Sequence, residues 1–598
     1  MGSRKKERLN STKDKPPIVE AKLFPALKNT SEGSFYGYIN NKGKFIIYPK
    51  FARAYDFNSE NLAIAYYNSK AGLINTKGDF IISPIYDEIN NFKDMRAIFS
   101  VDNYMGVMNE KGQVLTKKKY SFISDYSNGM ALVSDTSSQG NSKYGYIDMN
   151  GNEVIAPSYL SANDFKENVA LVQLENKHYG LIDKKGSIIE TYDYPYVAFY
   201  GNGLMIFSTS LDGPYGFIDK KGTPIIKPIF SQAQGFKNHM AIVAESSDFN
   251  GPYGIIDETG KYIFQPLFSD IKILGEDRVA LGMGIGEDKY TQRSIYAIGD
   301  SKGNILSPFI YLAVGDFKDG LAYGSDTEYT FFINKSGFQV KSLPAVEGSG
   351  TLSMKKGIIY ADIDYSPYYL DTYGKVIYKP NDIIPLSRNY NIIKEKYKPN
   401  INYLIYYPSI SGMENKKAQT EANIKLKKMS YFIPYGKDGT PQNIPINKTD
   451  VLDYDYTGTF DVQYYKKNFL TLNIMGYYYP LGAAHGMPSM KTPSINLVTG
   501  KFYTLGDLFM GGVYWTHELN KIIEKIIDID PEYSYIFKGA FKGISMTQDF
   551  YIDSDNLYIY FPPYEIGPYS AGFVTFKIPF SQINNMINKN GDFYKSFH

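Results

Sequence analysis

Residues 215–230 read Tyr-Gly-Phe-Ile-Asp-Lys-Lys-Gly-Thr-Pro-Ile-Ile-Lys-Pro-Ile-Phe. Tyr215–Asp219 is a short β-prone run, and Thr223–Ile226 begins another. The residues between them start with Asp219, a turn former, and end on Gly222, as a four-residue hairpin loop with glycine in the left-handed region requires. Pro228 is expected to stop the second strand, because proline cannot donate to a ladder. A third apolar run, Met240–Val243, follows. The unit therefore reads as three short antiparallel strands.

The turn glycine recurs as Gly43, Gly78, Gly112, Gly151, Gly186, Gly222, Gly260, Gly303, Gly337 and Gly374, at steps of 34 to 43 residues. Another glycine stands six residues earlier in the first seven copies. Phe331 and Tyr368 replace it in copies nine and ten, as in capping units. Eight residues after the turn glycine the first eight copies carry Phe51, Tyr86, Tyr120, Tyr159, Tyr194, Phe230, Phe268 and Tyr311. Fourteen residues after it come Phe57, Phe92, Tyr126, Phe165, Tyr200, Phe236, Leu274 and Phe317. Such short strands cannot bury a core alone, so units must stack, with these rings as the packing layer between them.

With Ile-x-Pro-x-aromatic following Tyr-Gly-x-Ile-Asp/Asn-x-x-Gly, residues 36 to about 380 resemble the WG-repeat family, with Tyr, Ala or Met in place of its Trp. The resemblance implies a β-repeat scaffold without established catalytic residues. The period alone leaves open a propeller-like ring or an open superhelix. The expected fold is mainly β: a flexible tail at 1–30, about ten three-stranded antiparallel repeats over 31–384, and an α+β domain over 385–598.

In that last region Ser411 is placed to cap one helix and Thr516 another, the second with Leu519, Ile522, Ile523, Ile526 and Ile527 on one stripe. Strands are expected at 556–561 and 573–578. Three motifs stand in order: Tyr406–Gly412, with Gln419 and Asn423 downstream; Gly482-Ala483-Ala484-His485-Gly486, leading to Asn496–Lys501 and Leu505–Phe509; and Phe561–Gly572. Together they resemble the paired domain of RsiV-type anti-sigma factors and the non-catalytic part of PdaC-type deacetylases. That resemblance implies an exported, cell-envelope setting and, in RsiV, recognition of lysozyme.

The composition narrows the chemistry. Among 598 residues there are 56 Tyr, 37 Phe, one Trp and no Cys, which excludes a disulfide scaffold, a cysteine zinc site and a thiol nucleophile. A formal charge of +2 gives no support to nucleic-acid binding. No apolar run approaches a membrane span, and the basic start lacks the apolar segment of a signal peptide. The five histidines, His178, His239, His485, His517 and His598, show no ligand spacing. Gly282–Gly286 opens no helix, Asp362–Ser366 is only half a calcium loop, and Asp553–Asn556 reads as a hairpin turn. No catalytic, cofactor-binding or metal-ligating residue is assigned, and no cofactor is expected.

The candidate ligand contacts are His485 and, in a Pro-punctuated segment, Tyr564, Glu565 and Tyr569. The leading expectation is a non-catalytic binding protein of the envelope or exterior, with the array as scaffold. Its partner would be a protein, such as a lysozyme-like muramidase, or a cell-wall glycan. The alternatives are a polysaccharide hydrolase and a structural surface or spore-coat component.

Overall fold

The turn chemistry expected at Asp219 builds the hairpin. Asp219 Oδ1 accepts the amides of Lys221 and Thr223 at 2.9 and 2.8 Å, and Gly222 N donates to the Asp219 carbonyl at 3.0 Å. This is a computed structural model that describes residues 22–598 except 31, 137–141, 247–251, 286–292, 432–446 and 449; Gly286 thus lies outside the described residues. All ten turn glycines have φ between 75° and 88°, where a Cβ is disfavoured.

Residues 24–378 form ten small antiparallel sheets in chain order. The sixth runs Tyr196–Gly201, Leu204–Ser208, Tyr215–Asp219, Pro224–Phe230. Two features differ from the three-stranded reading. Seven of the ten sheets have four strands, the added one mostly as short as Arg53–Ala54 or Gln232–Ala233, which no periodicity can reveal. The third run also leaves its unit: Ala241–Ala244 pairs with Tyr253–Ile256 in the next sheet. Each sequence repeat therefore straddles two sheets, and the chain links every neighbouring pair.

Pro228 does not end its strand. It lies inside Pro224–Phe230, an edge strand whose pairing jumps from Tyr215↔Phe230 to Phe217↔Ile226. This bulge removes the need for a donor at the proline. It also presses on Gly216, where a Cβ would stand 2.6 Å from Pro228 N. The paired glycine and the proline are thus two halves of one contact.

Ten apolar clusters join the sheets, nine between neighbours and one between the tenth and the first. The repeated rings supply the layer as expected: Phe51, Phe165 and Tyr311 are fully buried, and Phe217–Phe236 and Tyr146–Phe165 meet at 4.9 and 4.7 Å. The tenth cluster packs Phe24, Ala26 and Ile39 on Ile358 and Tyr369. Across the same seam the Tyr378 hydroxyl donates to Leu27 O at 2.8 Å, and Lys355 pairs with Asp56 at 2.6 Å. The array is therefore a closed ring, not an open superhelix. Copies nine and ten are not caps, since each packs on both sides. Residues 24–30, expected in the tail, form the first strand, Phe24–Thr30.

The C-terminal region starts with Ile383–Pro385, the edge of an eight-stranded sheet. Its long members are Asn391–Asn400, Tyr403–Ser411, Tyr454–Lys466 and Phe469–Pro480, with one parallel pairing between Tyr403–Ser411 and Tyr454–Lys466. Helix α1 (Lys416–Ser430) buries Ala418, Ala422 and Leu426 against that sheet. Its cap is Asn415, which accepts from Ala418 N at 3.0 Å; Ser411, the expected cap, is the last residue of a strand. Helix α2 (Trp515–Ile529) starts one residue before Thr516, because Trp515 is itself buried in the core with Leu519 and Ile523. A second sheet, Phe550–Ile552, Asn556–Phe561 and Val574–Pro579, completes that core.

Two polar clamps seat this region on the ring. Asp364, 3% exposed, receives Lys396 and Lys398 Nζ at 2.5 and 2.6 Å, and its carbonyl accepts the Tyr406 hydroxyl at 2.8 Å. Arg293 donates to the Leu452 and Tyr454 carbonyls at 3.0 and 2.7 Å and pairs with Asp455 at 3.2 Å.

Candidate functional site

The strand Phe469–Pro480 ends in the turn that carries the Gly482–Gly486 motif. Gly486 is buried, and a Cβ there would lie 2.6 Å from both the Tyr478 carbonyl oxygen and the Tyr477 ring. Only glycine fits. Its amide donates to the Tyr477 hydroxyl at 3.0 Å, and its carbonyl accepts the Tyr569 hydroxyl at 2.9 Å. His485 Nδ1 sits 3.0 Å from that same carbonyl, which can only accept, so Nδ1 carries the proton. Nε2 lies 3.0 Å from the Tyr564 hydroxyl, from which it accepts when the ring is neutral.

The rings stack as well as bond. His485 and Tyr569 lie 3.9 Å apart at 26°, and Tyr564 and Tyr569 lie 5.7 Å apart. Tyr564 is 51% exposed at φ 70°, a conformation that costs a non-glycine residue about 1–2 kcal/mol. The Tyr569 phenol is held above its ordinary pKa, first by desolvation and then by the Tyr477 hydroxyl.

Of the four candidate contacts, His485, Tyr564 and Tyr569 come together. Glu565 does not join their bonds. It is exposed, and its carboxyl is pushed up by desolvation and then by Asp549. Sequence reading does not single out Tyr477, which stands nine residues before Gly486; its signal is the run Tyr477-Tyr478-Tyr479 beside Pro480. Among the described residues no carboxylate bonds His485, and both its nitrogens are engaged within the cluster. The arrangement offers ring faces, a hydroxyl and fixed backbone, which suits recognition.

The other histidines are dispersed: His178 lies 3.6 Å from Asp193, His239 pairs with Glu258, and His598 stacks on Tyr594 at 3.9 Å. Among the described residues no group of three or more His, Cys, Asp or Glu could hold a metal ion. Asp553 forms the expected turn, accepting from Asp555 N and Asn556 N. Asp364 and Tyr365 turn the hairpin between Ile358–Ile363 and Ser366–Leu370. No helix among the described residues is long and apolar enough to cross a membrane.

The WG containing repeat model matches residues 36–70, 72–104, 105–135, 144–177, 215–245, 253–279 and 300–323. The Deacetylase PdaC model matches 394–488, and DUF3298, a family of unknown function, matches 506–581. No curated protein matches the chain. Among solved structures, a DUF3298-family protein from Bacteroides fragilis is 18% identical over 35% of this chain and 97% of its own, with TM-score 0.25. A DUF3298-family protein from Pseudomonas aeruginosa is 13% identical over 34% and 94%, with TM-score 0.25. BamB from Moraxella catarrhalis is 13% identical over 48% and 94%, with TM-score 0.27. The His485 cluster unites the end of the PdaC match with the DUF3298 match. The chain carries WG repeats across residues 36–323, followed by PdaC-like and DUF3298-like regions.

Proposed function

We propose that this chain is a non-catalytic binding protein of the bacterial envelope or exterior, in which the closed ring is the scaffold and the C-terminal region holds a protein or glycan ligand. The repeats and the two C-terminal matches are consistent with an envelope-associated protein. The observation that carries the reading is the stack of His485 and Tyr569 beside exposed Tyr564, built from two motif segments about eighty residues apart. Rigid tyrosines give large contact area at low entropic cost. Glu565 borders the patch and would select for a donor-rich or basic edge on the ligand.

The test is retention of the intact chain on immobilised lysozyme and on purified cell-wall glycan. The proposal expects one of the two to retain the wild type and to lose Tyr564→Ala and His485→Ala. Equal retention of all three proteins, or none of any, would contradict it.

A further inference from the structure

Between sheets seven to ten and the seated C-terminal region lies a cavity of about 960 Å³. That is the upper end of the range for small-molecule sites, roughly 300–1,000 Å³. Most charges in its wall are already satisfied. Arg293 is held by Asp455, Lys398 by Asp364, and Asp270 accepts the Tyr296 hydroxyl at 2.6 Å. Tyr253 donates to Gln232 Oε1 at 3.1 Å.

Three lining groups are left over. The half-buried Asp362 carboxylate and the exposed Gln234 amide and Thr351 hydroxyl have no hydrogen bond or ion pair to the protein among the described residues. Asp362 is half-buried, and burial alone holds its carboxyl above its ordinary pKa. A half-buried carboxylate takes its donors from water or from a ligand that displaces that water.

The wall carries four carboxylates, Asp270, Asp362, Asp364 and Asp455, against Arg293 and Lys398, and among the described residues only Asp362 of these has no partner in the protein, which argues against an anionic ligand. A molecule with many hydroxyls supplies donors to Asp362, and its C–H faces pack on the Tyr253 and Tyr323 rings that line the same chamber. We propose that the chamber binds a neutral oligosaccharide, with Asp362, Gln234 and Thr351 bonding its hydroxyls. This site is separate from the His485 cluster and does not depend on it.

The test is calorimetric titration of the intact chain with tetrasaccharides built from glucose, galactose, mannose and N-acetylglucosamine, and with spermine as a cationic probe. At least one tetrasaccharide binds. Asp362→Asn weakens it about tenfold or more, the cost of removing hydrogen bonds to a charged group. Thr351→Trp, which fills the chamber without breaking a protein bond, abolishes it, and His485→Ala leaves it unchanged. Binding of no tetrasaccharide, binding indifferent to both cavity variants, or a preference for spermine would overturn the proposal.

Discussion

Tyr369 donates its hydroxyl to the carbonyl of Pro25 at 2.9 Å, joining the tenth sheet to the first across 344 residues of chain. The ring phenol is 2% exposed, and burial pushes its pKa up. At this seam the array stops being one-dimensional: every sheet has two neighbours, and none needs a polar outer face.

Gly43 sits at that seam. A Cβ there would collide with the Ile377 carbonyl oxygen, whereas a Cβ on Gly357 meets nothing within 4 Å. Both have positive φ, 77° and 89°. Gly357→Ala should cost only the left-handed penalty, about 1–2 kcal/mol. Gly43→Ala should cost about 1–3 kcal/mol beyond that, from overpacking. Urea unfolding of the two variants measures the difference.

Gly216 and Gly180 occupy the same place in the repeat, six residues before the turn glycine. Gly216 faces the bulge at Pro228, while Gly180 faces Leu174 at an ordinary 3.6 Å, in a copy without that proline. Gly216→Ala should therefore destabilise by about 1–3 kcal/mol, and Gly180→Ala should be near neutral. Thermal unfolding of both checks this. Equal effects would separate the glycine from the proline.

These glycines show what was legible in the chain and what was not. The offsets gave the turns and the ring layer, because both follow from local chemistry repeated ten times. Closure was not legible: Phe24 and Tyr369 are too far apart in sequence for any period to pair them. The phase of the repeat was hidden because Met240–Val243 looks alike whichever sheet it joins. In the site, His485, Tyr564 and Tyr569 were visible from motif residues, but Tyr477 was not. It acts through its hydroxyl, which faces a backbone amide and the Tyr569 phenol.

Asp364 couples ring and C-terminal region. Burial raises its pKa, but the bonds from Lys396 and Lys398 outweigh this and hold it below the ordinary 3.8. A depressed folded pKa adds stability that is fully present above the ordinary value and is lost as pH falls through the folded one. Docking should therefore weaken only below about pH 3.8. Asp364→Asn should remove about 3 kcal/mol at neutral pH by leaving Lys398 without its partner. Limited proteolysis near residue 380 reports undocking in both cases.

Tyr477 accepts the buried Gly486 amide, so Tyr477→Phe leaves that donor unsatisfied at a cost of about 1–3 kcal/mol. The motif loop should loosen while the ring is untouched. Expected is loss of retention on the ligand that holds the wild type, with unchanged binding in the ring cavity. Parallel loss at both sites would show a global effect instead.

Ring closure underlies the seating of the C-terminal region and the cavity beneath it, and the absence of cysteine makes it directly measurable. Asp56 and Lys355, paired at 2.6 Å across the seam, can be replaced by cysteines in a chain with no competing thiol. A short bis-maleimide should then cross-link the two positions within one molecule, in high yield and independently of protein concentration. Full labelling of both cysteines without an intramolecular cross-link would contradict the closed ring.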